Sequence, residues 1–227
     1  MTTQTTLVIV HTGPVTVQPL SSLGPELLPG VRIVNLVDDS LLKETMAAGQ
    51  VTPAVTRRLA QYMMIAQEMG ATLILNACSS VGEAADTVRP LLSVPILKVD
   101  QAMAERAVAS ATRIGVAATV QTTLDPTARL IERVARDAGK SVQVRRALCE
   151  GAFDALIAGR TDEHDLIVER ALRELARDVD LIVLAQVSMG RVVDKPGSHF
   201  DVPVLTSPRL GMERVAELLR GQLERAA

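Results

Sequence analysis

The chain reads as an α/β protein of two pseudo-symmetric halves, each built on a parallel sheet, and three observations predict this. Short β-rich runs alternate with helical patterns along the whole sequence, which implies parallel strands joined by crossovers. The apolar content, 48%, comes mostly from Ala, Val, Leu and Ile, as in strands covered on both faces. The chain also repeats itself at long range: residues 73–82 (LILNACSSVG) return at an offset of 108 as residues 181–190 (LIVLAQVSMG). At that offset Asp86 falls on Asp194, Val94-Pro95 on Val202-Pro203, and Glu105-Arg106 on Glu213-Arg214. At an offset of 107, Thr12, Thr16 and Pro19 fall on Thr119, Thr123 and Pro126. A period this long means two similar domains, since solenoid repeats run about 20–50 residues.

Taken in order, β-rich runs predict strands over 6–11, 32–36, 72–75, 96–99, 114–118, 142–146, 181–184 and 204–206. Helical periodicity predicts helices over 52–69, 81–92, 102–111, 126–138, 162–177 and 211–225. Thr52 is a natural cap for a helix with Pro53 in its first turn. Asp162 and Glu163 sit where a helix dipole favours acids. The repeat divides the chain into a first lobe over 1–98 and a second over 99–207. In parallel sheets ligands bind beyond the carboxyl ends of the strands, so two such surfaces facing each other would form a central cleft.

Composition narrows the function classes. The 227 residues carry a net charge of −2 with both signs interspersed and only three aromatics, Tyr62, Phe153 and Phe200. Neither a basic face nor a stacking platform for nucleic acid is present. No apolar run reaches the roughly 18–20 residues of a membrane span. Residues 1–6 (MTTQTT) lack the charged region of a secretory signal, and two cysteines without such a signal predict reduced thiols in a cytoplasmic protein. G-x-G-x-x-G, Walker and nucleophile-elbow motifs are absent, as is any metal-ligand spacing. The expectation is a protein that needs no cofactor and no metal. The sequence leaves self-association into a homo-oligomer open.

Cys78 is the leading catalytic candidate. It ends a buried strand and turns into a helix, where free backbone N–H groups favour a thiolate. Asn76 flanks it, and Ser79 and Ser80 offer hydroxyls and N–H groups to an anion. His11, Thr12, Thr119 and Thr122 follow the first strand of each half and could hold a carboxylate without a full charge. Gln186 stands where Cys78 stood in the first half, with Ser188 two residues on. Cys149 reads as a core thiol. Asp38, Asp39, Lys98, Asp100, Glu150 and Arg209 read as salt-bridge or helix-start residues.

With both strand-end motifs in view, the chain resembles the aspartate/glutamate (hydantoin) racemase superfamily over nearly its whole length. The resemblance rests on residues 74–83 (ILNACSSVGE), on the strand at 114–118 with its spaced threonines, and on residues 202–205 (VPVL). It implies two facing α/β lobes with a catalytic position on each, and a final helix over 208–227 that returns to the first lobe. The second motif departs: where the family usually shows Gly-Cys-Thr, this chain has Ala185-Gln186-Val187, as in a racemase-like subgroup. A carboxamide does not titrate usefully near neutral pH, so two-thiol racemisation is disfavoured. The expectation is a single-cysteine isomerase acting on a small carboxylate, by cis–trans isomerisation or by asymmetric racemisation with His11, Glu150 or Ser188 supplying the opposite proton. A lyase protonating an enolate from Cys78 and a non-catalytic carboxylate-binding protein are the alternatives.

Overall fold

A computed structural model of the chain describes residues 4–195 and 199–226, leaving Met1, Thr2 and Thr3 outside. Contacts divide the chain into two compact units, one running to Val99 and resuming at Pro208, the other spanning Asp100–Ser207. In chain order the first unit holds β1 (Thr6–His11), α1 (Val17–Ser21), α2 (Gly24–Leu27), β2 (Arg32–Val37), α3 (Ser40–Ala48), α4 (Pro53–Glu68), β3 (Leu73–Asn76), α5 (Gly82–Val88) and β4 (Ile96–Lys98). The second holds α6 (Gln101–Ser110), β5 (Arg113–Ala118), α7 (Gln121–Asp137), β6 (Gln143–Leu148), α8 (Ala152–Ile157), α9 (Thr161–Leu175), β7 (Leu181–Leu184), α10 (Gly190–Val193) and β8 (Val204–Leu205). The final helix, α11 (Ser207–Ala226), packs back into the first unit.

Each unit carries a four-stranded, all-parallel sheet, in the order β2-β1-β3-β4 in one and β6-β5-β7-β8 in the other. The strand order is therefore the same in both, as an internal duplication requires. All eight strands coincide with β-rich runs of the sequence to within two residues at either end.

The side-chain period of two decides which helices cover each face. In the first unit Leu7, Ile9, Leu73 and Leu75 join Met212, Val215 and Leu219 of α11. Val8, Val10 and Ile74 point the other way, onto Val55, Leu59 and Met63 of α4 and Ala84, Ala85 and Val88 of α5. In the second unit Ala117, Ile182 and Leu184 pack against Val168, Leu172 and Leu175 of α9. Full burial of one such aliphatic side chain contributes roughly 1.5–3 kcal/mol, so these layers hold the strand ends in place.

Helix boundaries differ from expectation where proline and capping intervene. Thr52 caps α4 by accepting a hydrogen bond from the Val55 N–H at 3.2 Å. The helix expected at 81–92 ends as α5 at Val88 and continues as a 3-10 turn containing Pro90, whose ring removes a backbone donor. Conversely α7 begins at Gln121, five residues before Pro126. Five short helices, α1, α2, α3, α8 and α10, lay outside the expected set. Just before α3, Asp38 accepts from both the N–H and the hydroxyl of Ser40 at 3.0 and 2.6 Å. Among the described residues no helix is long and apolar enough to cross a membrane.

The return of α11 depends on one close approach. A Cβ added at Gly211 would lie 2.7 Å from the Val99 carbonyl oxygen and 3.1 Å from Val99 Cγ2. Alanine normally stabilises a helix interior over glycine by about 0.8–1.0 kcal/mol. Here the obstacle is backbone, which cannot swing aside. Gly211→Ala is expected to destabilise the protein by about 1–3 kcal/mol, read as a lowered urea midpoint with an unchanged slope; a raised midpoint would contradict the packing described.

Candidate functional site

The first turn of interest is produced by the end of β3. Ala77 N–H donates to the Val10 carbonyl at 2.9 Å, and the Asn76 carbonyl accepts from Val99 N–H at 3.0 Å. Beyond those bonds Cys78 remains extended (φ −137°, ψ 119°) and leads a 3-10 turn, Ser79–Val81, that runs into α5. The first N–H groups of a helix have no intrahelical partner. Those of Ser80 and Val81 turn onto the Cys78 sulfur, together with the hydroxyls of Thr12 and Ser80. Thr12 and Ser80 are buried, while Cys78 itself is half-buried.

Four donors around one sulfur would favour a thiolate, yet the net effect is the reverse. Burial raises the Cys78 thiol above its ordinary value and outweighs the hydrogen bonds that lower it. All the groups contacting the sulfur are neutral. The helix-terminus argument from sequence is thus corrected: at rest this cysteine is a protonated thiol with donors already in place. Cys149 is the contrast. It lies buried in the core of the second unit, and burial alone pushes it up to about 12.

The second unit repeats the construction with different chemistry. Ala185 N–H donates to the Ala117 carbonyl at 2.9 Å where β7 ends. Gln186 then stays extended (φ −131°, ψ 137°) and leads the 3-10 turn Val187–Met189 into α10. Its carboxamide oxygen accepts from the Thr119 N–H at 2.6 Å and the Thr119 hydroxyl at 3.0 Å. Thr119 is to Gln186 what Thr12 is to Cys78.

The remaining candidates divide between the units. Asn76 is buried; its Nδ2 donates to the Cys78 carbonyl at 2.8 Å, while its Oδ1 makes no hydrogen bond. Ser79 is buried beside them. In the second unit Thr122 and Ser188 are half-buried, and the Thr122 hydroxyl oxygen makes no hydrogen bond. His11 is occupied elsewhere. Its Nε2 meets Asn35 Oδ1 at 2.9 Å and its Nδ1 meets Thr16 Oγ1 at 2.6 Å. Burial lowers its pKa, so the ring is neutral. Asn35 Oδ1 can only accept, which puts the proton on Nε2, and leaves the single Thr16 hydroxyl hydrogen shared between Nδ1 and the Gly13 carbonyl at 3.0 Å. Both nitrogens are thereby engaged within the first unit, by Asn35 and Thr16.

The charged strand-end residues hold structure. Lys98, almost fully buried, pairs with Asp86 at 2.7 Å, and Arg209 forks onto Glu26 with two bonds of 2.7 Å. Glu150 is exposed. Among the described residues no group of three or more His, Cys, Asp or Glu could hold a metal ion. Sequence reasoning missed that Thr12 and Ser80 are partners of the thiol itself and that Thr119 holds Gln186. The offset that pairs Thr12 with Thr119 was the available signal.

The sequence model of the Asp/Glu/Hydantoin racemase family matches residues 22–215, a span that includes both turns. Glutamate racemase isoform RacE1 from Bacillus anthracis shares the fold with a TM-score of 0.76 at 17% identity, over 96% of this chain and 82% of that one. Aspartate racemase from Picrophilus torridus gives 0.72 at 15% identity, over 94% of each chain. Allantoin racemase from Klebsiella pneumoniae gives 0.65 at 15%, over 95% of this chain and 88% of that one. At such identities the likeness is one of fold alone. No curated protein sequence matches significantly.

The two thiols predict distinct alkaline behaviour. Alkylation of Cys78 by iodoacetamide is expected to be slow at pH 7 and to rise about tenfold per pH unit through pH 9, following the thiolate fraction. A fast, pH-independent reaction at neutrality would show an ionised resting thiol. Cys149 should resist the reagent until the protein unfolds. Because its folded value of about 12 lies above the ordinary 9.0, its contribution to stability is complete below pH 9 and is lost as pH climbs towards 12. Cys149→Ala should remove that part of the alkaline loss.

Proposed function

Because the chain belongs to the Asp/Glu/hydantoin racemase family, which supports a racemase- or isomerase-type function, we propose that it is a cofactor-independent isomerase of a small carboxylate that works through one thiol, Cys78. The observation that carries this reading is the pair of equivalent turns: one presents a sulfur ringed by neutral donors, the other a carboxamide. Proton exchange on two faces of a carbon needs two groups that change protonation state, and Gln186 cannot be one of them.

The chemistry that needs only one such group is reversible addition. The Cys78 proton leaves to solvent, and the thiolate forms an S–C bond to one carbon of a double bond conjugated to the substrate carboxylate. The displaced electron pair moves onto the carboxylate oxygens, and the former double bond becomes free to rotate. Return of the pair breaks the S–C bond and leaves the isomerised alkene. The hydrogen bonds from Thr12, Ser80 and Val81 lower the cost of the thiolate at its departure and return. Ser79 in the first unit, and Thr119 and Thr122 in the second, are the further polar groups proposed to bind substrate.

One observation favours a second reading. Asn76 Oδ1 is a buried acceptor without a donor, and such a group costs about 1–3 kcal/mol unless something satisfies it. A substrate carrying an N–H beside its reacting carbon would do so, as amino acids and hydantoins do. In that case the reaction is an asymmetric racemisation, with Cys78 exchanging one proton and the Ser188 hydroxyl proposed for the other.

The tests separate the two. Cys78→Ser is expected to abolish turnover of maleate-like or amino-acid substrates alike, with unfolding behaviour unchanged; full activity in this variant would end the one-thiol reading. For addition, kcat/KM should rise with pH through the alkaline range until the raised thiol pKa is passed. For proton donation from Cys78 to an enolate it should instead fall there. In deuterated water the addition route leaves the α-carbon unlabelled, whereas rapid labelling of aspartate, glutamate or a hydantoin would establish a second acid–base group and favour racemisation.

A further inference from the structure

We infer that Gln186 is a hydrogen-bond donor of fixed orientation for a carboxylate oxygen of the substrate, and that Thr119 is the positioning residue that fixes it. The inference rests on the reading above that the chain binds a small carboxylate, and it assigns the half of the amide that does the binding.

Either end of a carboxamide can face a neighbour, but here the choice is forced. The Thr119 N–H is a donor only, so the atom 2.6 Å from it is the carbonyl oxygen Oε1. The Thr119 hydroxyl adds a second donor at 3.0 Å. Two donors fill both lone pairs of Oε1, and the amide has no further capacity to accept. Turning it over would set the NH2 group against the Thr119 N–H, donor on donor, inside a buried site. The turn therefore presents Nε2 with its two hydrogens, and among the described residues no hydrogen bond occupies them. A fixed group that only donates matches a ligand oxygen that accepts, and the carboxylate of the proposed substrate is the strongest such acceptor.

The same contact answers a need of the fold. The neighbouring carbonyls of Ala117 and Ala118 are satisfied by Ala185 and Cys149, whereas Thr119 N–H lies past the sheet ladder and finds its acceptor in Gln186. A buried N–H left without one costs about 1–3 kcal/mol. Gln186→Ala would thus disturb stability and binding together and cannot separate them. Gln186→Glu can. A carboxylate keeps an oxygen for Thr119 and replaces the NH2 group by a second, charged acceptor.

The experiment is calorimetric titration of malonate into the full chain, wild type beside Gln186→Glu, Thr119→Ser, Thr119→Val and Cys78→Ser, with thermal unfolding of each. At pH 7.5 the exchange of a donor for a like charge should weaken malonate binding by about 100-fold in Gln186→Glu, with partial recovery as the pH falls towards 5 and the new carboxyl protonates. Thr119→Ser retains both donors and should bind within about twofold of wild type, while Thr119→Val should weaken binding by roughly 3–10-fold, one neutral hydrogen bond's worth. Malonate binding by Gln186→Glu within threefold of wild type overturns the inference. So does equal binding by Thr119→Val and Thr119→Ser, or no binding of malonate, succinate or maleate by the wild type. Cys78→Ser distinguishes the two readings: if it stays catalytically active the one-thiol mechanism falls, yet the response of malonate binding to Gln186→Glu still decides the role of the amide.

Discussion

In each unit a threonine just past the first strand reaches the side chain that ends the strand beside it, and the rest of the candidate site is arranged around that contact. It exists because of parallel register. Val10 lies opposite Asn76, and Ala117 lies opposite Leu184, so neighbouring strands reach their carboxyl ends together and their next residues leave the ladder at the same level. A last inter-strand bond, from Ala77 to Val10 or from Ala185 to Ala117, fixes where the ladder stops. The chain after it must turn, and turning into a helix leaves N–H groups without intrahelical partners. The aliphatic layers on both faces of each sheet keep this junction from relaxing. A strand slipped by one residue would exchange the two faces, sending Cys78 away from Thr12.

Against that common frame the two units differ in what the turn holds. Around Cys78 the hydrogen-bonding groups are neutral donors, the rest of its surroundings are apolar, and burial keeps the thiol protonated. A lysine or protonated histidine beside the sulfur would lock it as a thiolate and make it fast; a resting thiolate without such a cation would instead set a bare negative charge where a carboxylate substrate is proposed to bind. Two unit charges a few ångströms apart in a poorly solvated site repel by several kcal/mol. A thiol that is neutral at rest avoids that cost. The hydroxyls of Thr12 and Ser80 and the N–H groups of Ser80 and Val81 then lower the energy of the ion only while the proton is away. The orientation of His11 fits the same logic: with both nitrogens engaged by Asn35 and Thr16, its ring braces the loop and brings no charge to the sulfur.

The fold was legible because strands buried on both faces leave little ambiguity. Runs such as residues 7–10 and 181–184 are apolar throughout, and all eight strands could be read from composition. Helices were legible where they are long. The short ones were not, since α8 spans six residues and α10 four, too few for a period of 3.6 to declare itself. Pro126 misled because proline usually opens a helix, whereas here it lies within the second turn of one. At the site, sequence located the strand-end residues but not their partners. That Thr119 spends both its donors on Gln186 depends on register, which composition does not encode. The ionisation of Cys78 was misjudged for a physical reason: the helix-terminus effect is local and readable, but the desolvation opposing it is a property of the packed whole.

A carboxamide at the second turn, where the first turn holds a sulfur, is consistent with the structure around it. A glutamine is long enough to return its oxygen to the buried Thr119 N–H while leaving its nitrogen outward. The residue satisfies the backbone and offers a donor in one step. What it gives up is titration. A unit that holds an amide in this position can bind charge but cannot carry a proton through the neutral range, and no other ionisable residue stands on its turn, where the adjacent positions are Val187 and Ser188. Under the function proposed above, the second unit holds substrate and ionisation is confined to the first. That proposal rests on the contact both units share: the equivalent threonine, at the same register, meets a thiol in one half and a carboxamide in the other.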